Sequence, residues 1–169
     1  MYLITNQDQL DSAIELLAKE ETIFIDTEFY RRTTFYAKLC LVQIANCKNQ
    51  YIIDTLTPLK LDKVKNILLN NQILKVIHSS DQDIQVIHHS LKVIPQNLFD
   101  TQVAAELCGI GKNAGYQKLC KDLLGIIISK SYQKANWQER PLTRRLLQYA
   151  ADDTKYFPDI YNRLSYLLN

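Results

Sequence analysis

Asp26 and Glu28 stand two positions apart in the apolar run TIFIDTEF, which reads as a buried β-strand. Side chains alternate across a strand, so both acids face one side and Ile25 and Thr27 face the other. Two carboxylates side by side repel, and burial adds to that repulsion in driving a carboxyl toward its neutral form. A bound divalent cation reverses the preference. The alternative is a strand end at which both acids reach water. Two further acidic segments bear on the choice. DQD, residues 81–83, follows the apolar run ILKVIH, where one helical turn holds Asp83 near the end of that strand. In YAADD, residues 149–153, the first and last positions lie roughly 40° apart on a helix and Asp152 is turned away. Tyr149 and Asp153 are therefore the pair that can share a site.

Asp26, Glu28, Asp83 and Asp153 come from three segments and converge if the strand and the late helix dock together. Hard oxygen donors of this kind suit Mg²⁺ or Mn²⁺. Two such ions, roughly 3.5 to 4 Å apart, clamp the attacking and leaving oxygens of an in-line phosphoryl displacement. Zinc is disfavoured, because Cys40, Cys47, Cys108 and Cys120 show no C-x-x-C spacing and no nearby histidine. They read as reduced thiols, and MYLITNQDQL lacks the basic start and apolar core of a secretory signal, so a cytoplasmic protein is expected.

The elements that must position these residues are legible in the pattern. A short strand at residues 1–4 precedes a helix that Thr5 can cap, with Leu10, Ile14 and Leu17 as its apolar stripe. TIFIDTEF, KLCLVQIA and QYIIDT read as strands, the last two joined by the hairpin connection NCKN. LDKVKNILLN is helical, ILKVIH is a buried strand, and Ser79 can cap a helix through DQDIQVIHHS. NLFDT leads into the helix TQVAAELCG, which Gly109 stops, and GYQKLCKDLLG is a further helix. IIISKSYQKANWQERP reads as an irregular basic connection before a long terminal helical region containing Pro158. Intermixed strands and helices predict an α/β fold, a mixed central sheet of about five strands flanked by helices on both faces.

The 169 residues suit a single domain, and four Gly and four Pro leave no linker. A net charge of +2 provides no global basic field, so an electropositive surface for nucleic acid must be local. The densest positive run is Lys130, Lys134, Arg140, Arg144 and Arg145, read either as phosphate contacts or as a solvated face.

Four motifs together resemble the ribonuclease D group of the DEDD 3′ to 5′ exonucleases. They are FIDTEFYRRTTFYAKLCLVQIA, VIHSSDQDIQVI, FDTQVAAELCG and NWQERPLTRRLLQYAADDTKYF, in the family's order and spacing across nearly the whole chain. The resemblance implies the ribonuclease H-like, DnaQ-like exonuclease fold and two divalent ions, Mg²⁺ or Mn²⁺. Asp26 would bridge both ions, Glu28 and Asp153 would hold the one that activates water, and Asp83 would support the second. Tyr149 would position the water. The sister subfamily has His five residues before the last Asp, where this chain has Gln148, so the tyrosine-bearing form is implied. Thr27 and Phe29 would contact the terminal nucleotide, through the main chain and through ring stacking; plain core is the alternative for Phe29. His78 either orients the second metal motif or is a hydrogen-bonded core histidine, His88 and His89 read as solvated helix ends, and Trp137 packs the loop on the core.

The family's usual DW is NW here, at Asn136, and its usual proline before the second strand is Ala37. Neither departure removes an implied ligand. The chain ends just after the fourth motif, giving one exonuclease domain over residues 1–169 without helical C-terminal domains; weaker RNA binding, or a homodimer or partner chain in their place, is expected. The implied activity is a metal-dependent 3′ to 5′ exoribonuclease that trims tRNA precursors or other small RNAs and releases nucleoside 5′-monophosphates. A DNA exonuclease of the same superfamily and a non-catalytic nucleic-acid-binding module are the alternatives.

Overall fold

The computed structural model describes residues 1–32, 34–128, 132–133 and 135–169. The apolar alternation of residues 22–54 becomes β2 (Thr22–Tyr30), β3 (Lys38–Ala45) and β4 (Gln50–Asp54), an antiparallel meander in which Asp26 lies opposite Gln43. β1 (Tyr2–Ile4) pairs parallel with β4, and β5 (Leu74–Ile77) pairs parallel with β2. β6 (Leu98–Asp100) adds parallel to β5, so the mixed sheet has six strands in the order β1-β4-β3-β2-β5-β6. The expected count of about five missed β6, whose three residues are too few to display a periodicity.

Helices cover both faces, as predicted. Ile23 and Ile25 point into a core shared with α1 (Gln7–Leu17), α2 (Asp62–Leu69) and α3 (Asp81–Leu91). On the opposite face Phe24 packs with α4 (Thr101–Leu107), α5 (Tyr116–Leu124) and α7 (Phe157–Leu168). Leu41 and Ile52 on that face meet α6 (Arg144–Lys155) and Trp137. Trp137, 1% exposed, packs its loop on the core as expected.

Three local expectations are corrected. Asn6, not Thr5, caps α1, its side chain accepting from the Gln9 N–H. Ser80 rather than Ser79 precedes α3 and makes no side-chain cap; Ser79 takes the left-handed conformation at φ 55°. The terminal helical region divides at Tyr156 into α6 and α7, because Pro158 lacks an N–H and is accommodated only in the first turn of a new helix.

Two features of β2 matter for the site. Its pairing with β5 ends at Phe24 opposite Val76, so among the described residues no strand pairs with the edge of β2 on that side from Ile25 onward. Its pairing with β3 shifts register between Glu28 and Phe29, a bulge that places Cys40 and Leu41 together in the α6-facing cluster.

Candidate active site

Past the end of β5, the free edge of β2 forms the floor of a cleft of about 620 Å³. The outer half of β2 contributes Asp26, Thr27, Glu28 and Phe29, the start of α3 contributes Asp83, and α6 contributes Tyr149 and Asp153. The strand alternation aims Asp26 and Glu28 at α6, where the helical repeat brings Tyr149 and Asp153 to the same face. Carboxylate oxygens of Asp26, Glu28 and Asp153 lie within 4.8 Å of one another. Asp83 enters from the α3 side, where its carboxylate accepts a hydrogen bond from the Thr27 hydroxyl.

The electrostatics follow from that packing. Desolvation, then the charges of Asp83 and Asp153, raise the Asp26 carboxyl well above its ordinary range. Burial and the Asp26 charge push Glu28 up to about 11. Burial raises Asp83 to about 6 against the opposing Thr27 bond, and burial with the neighbouring Asp152 charge raises Asp153 to about 7. Among the described residues no lysine or arginine lines the cleft. A cluster of hard oxygen donors, each disfavoured as an anion by the others and by burial, fits a divalent cation. The opening cost of Asp26 and Glu28 thus has a structural answer, and the alternative of a freely solvated strand end does not describe Glu28, 9% exposed.

Tyr149 is held higher than an ordinary phenol by burial and by the Asp153, Glu28 and Asp26 charges that it faces. Its ring is fixed by Tyr132, edge-on at 5.9 Å, and by Trp137 at 6.1 Å. Gln148 instead turns outward and donates to Asp152 at 3.0 Å, in keeping with the tyrosine-bearing form.

His78 lines the cleft with its Nδ1 2.9 Å from the Thr101 hydroxyl, which itself donates to the Ile77 carbonyl. Nδ1–H is accordingly the donor, and burial lowers the imidazole to about 4, so the ring is neutral. It ties the end of β5 to α4 while lining the cleft. Phe29 and Thr27 both line the cleft. Arg140, expected as a phosphate contact, is corrected: it forms a two-pronged ion pair with the buried Asp54, at 2.6 and 2.7 Å, and its remaining donors reach the carbonyls of Trp137, Glu139 and Cys40. All five guanidinium donors are spent inside the protein. Arg144 and Arg145 are exposed, and Lys130 and Lys134 lie outside the described residues.

Other residues that shape the site were not singled out from the sequence. Asp100 accepts from the N–H groups of Ser79, Ser80 and Gln102 at 2.8 to 3.0 Å, and these bonds outweigh its burial to hold its carboxyl below the ordinary range. It fastens the turn that launches Asp83. The Tyr116 hydroxyl donates to the Asp152 carbonyl and accepts from the Tyr156 N–H, which fixes the end of α6. Gln43, opposite Asp26, has a fully buried amide with no hydrogen-bond partner among the described residues. Composition offers no signal for any of these; only FDT, a helix-capping pattern, hinted at Asp100.

A free strand edge, a carboxylate cluster and an adjoining tyrosine, on a mixed sheet of the DnaQ-like exonuclease arrangement, define the class, and the chain belongs to the 3′-5′ exonuclease family, whose sequence profile matches residues 1–169. Within it the chain is similar to ribonuclease D of Bartonella henselae, 38% identical over 162 residues that cover 95% of this chain and 40% of that protein. The structure of Escherichia coli RNase D, described as an exoribonuclease involved in structured RNA processing, superposes with a TM-score of 0.94 at 32% identity, covering 98% of this chain and 44% of that one. Brucella melitensis NrnC bound to pGG matches with a TM-score of 0.78 at 27% identity, covering 89% of this chain and 74% of its own. The chain spans about two fifths of the length of the ribonuclease D relatives it matches. No helix among the described residues is long and apolar enough to cross a membrane, and the four cysteines are free thiols.

Proposed function

We propose that the chain is a two-metal 3′ to 5′ exoribonuclease that removes nucleoside 5′-monophosphates one at a time from the 3′ ends of tRNA precursors or other small RNAs in the cytoplasm. The observation that carries the reading is the trio Asp26, Glu28 and Asp153 within 4.8 Å, beside Tyr149 and across from Asp83. Asp26, Glu28 and Asp153 would hold one Mg²⁺ or Mn²⁺, and Asp26 with Asp83 a second. Such ions lower the pKa of water and neutralise the charge that builds on a transferring phosphoryl group. The Tyr149 phenol, kept protonated, donates to and positions the attacking water. Thr27 keeps Asp83 in place through its hydroxyl and, with Phe29, offers a main-chain edge and a ring to the terminal nucleotide. Water forms the new bond to phosphorus, the bond to O3′ of the preceding nucleotide breaks, and that oxygen leaves with a proton.

RNA is favoured over DNA by the similarity to ribonuclease D, and the free thiols suit a reducing compartment. A homodimer or partner chain that adds grip on RNA is part of the proposal, and light scattering with and without RNA decides it. The central test is a time course on 5′-labelled single strands, RNA and DNA of one sequence, in Mg²⁺, Mn²⁺ or chelator. A descending ladder that needs metal, favours RNA and is slowed at least ~10²-fold by Asp26→Asn is expected. Equal digestion by Asp26→Asn, or none by the wild type, would overturn the assignment.

A further inference from the structure

We infer that a small aromatic pocket beside the catalytic cleft is a stacking subsite for a base upstream of the scissile nucleotide in a single-stranded nucleic acid. The inference rests on the proposed function for the direction in which the strand runs. The pocket encloses about 150 Å³ and shares Phe29 and Gln82 with the cleft, so a strand leaving the carboxylate cluster on that side meets it next. Its outer wall is Phe35 and Tyr36, on the stretch between β2 and β3. Phe35 is 80% exposed and Tyr36 58% exposed, so neither ring is there to fill the core.

The rings nevertheless pack against one another. Tyr36 lies flat on His89 of α3, centroids 4.0 Å apart and planes within 9°. Phe35 stands edge-on to Tyr36 at 4.9 Å and 85°, its faces open to solvent. Holding an aromatic platform in place before the ligand arrives lowers the ordering cost of binding. The charge around it is also complementary to a nucleic acid. The catalytic cleft is lined by carboxylates, whereas among the described residues none lines this pocket and Arg31 does. A flat base stacked on the open face of Phe35, its edge toward Tyr36 and its phosphate toward Arg31, uses this arrangement, and such stacking tolerates any sequence.

The test uses RNA hexamers carrying a single 2-aminopurine at successive positions from the 3′ end, bound in Mg²⁺ to the full chain with Asp26→Asn so that the strand persists. Fluorescence quenching at an internal position is expected. Adding Phe35→Ala should abolish it and weaken binding roughly 5- to 100-fold, while Phe35→Trp should retain it. Phe35 is too exposed for its truncation to unfold the protein. Quenching confined to the 3′-terminal base, absent throughout, or indifferent to Phe35→Ala would overturn the subsite. Hydrolysis by the wild-type chain is read separately. An uncut strand whose internal quenching still depends on Phe35 removes the proposed reaction and leaves the subsite standing. Normal digestion with quenching indifferent to Phe35 does the reverse.

Discussion

A free phenol titrates near 10, and the anions and burial around Tyr149 hold it higher, so it remains a donor throughout the range in which an exonuclease of this kind works. That separates its role from proton abstraction and gives a sharp expectation. Tyr149→Phe keeps the ring that Trp137 and Tyr132 pack against and removes one oxygen. We expect kcat to fall about 10²-fold with no change in melting temperature or in Mn²⁺ binding; a loss below threefold would mean that the hydroxyl is idle. Asp26 and Glu28 stood out in the sequence because a carboxylate in an apolar strand is costly enough to demand a reason, and Tyr149 and Asp153 because a four-residue spacing fixes a helix face. Arg140 was not. Its neighbours in sequence are basic and suggest a phosphate contact, whereas the partner that decides its role, Asp54, is 86 residues away.

β2 works as an element because its neighbour stops short. Had β5 continued beyond Ile77, the edge of Thr27 to Phe29 would be paired and the cleft closed. What keeps the opening in shape is Asp100 at the end of β6, which binds the turn between β5 and α3 while capping α4. Asp100→Ala leaves three N–H groups without that acceptor. It should cost about 2 to 3 kcal/mol and weaken turnover through Asp83, seen as a lower melting temperature together with a reduced kcat. Because the Asp100 carboxyl titrates below its unfolded value, its contribution is complete above the ordinary carboxylate range and is lost as pH falls below that range through its lowered folded value. The difference in stability between wild type and Asp100→Ala should therefore shrink on acidification. An undiminished gap at low pH would show that the carboxylate charge is not what binds the turn. Strands and helices with several periodic residues could be read in advance. The three-residue β6, and with it the tie from Asp100 to a turn 20 residues earlier, exists only once the sheet has assembled.

At the scale of the molecule, both helical layers force acids together at one end of the sheet, and the fold bears that cost whenever no cation is bound. Asp83 at about 6, Asp153 at about 7 and Glu28 at about 11 all titrate above their unfolded values. Between pH 4 and these values the folded state binds more protons than the unfolded chain, so stability falls as pH rises. In chelator the melting temperature should therefore drop from pH 6 to pH 8. A divalent ion bound by the ionised cluster replaces the protons and removes that slope. Mn²⁺ or Mg²⁺ at a hundred times its dissociation constant adds about 2.7 kcal/mol, which for a domain of this size raises the melting temperature by roughly 5 to 10 °C. The gain should be larger at pH 8 than at pH 6, because fewer protons compete for the carboxylates. Differential scanning fluorimetry across that pH range, with chelator and with each ion, measures both the slope and its removal. A chelated protein whose stability rises with pH, or a melting temperature indifferent to either ion, would mean that the carboxylates at the end of β2 are neither strained by one another nor relieved by metal.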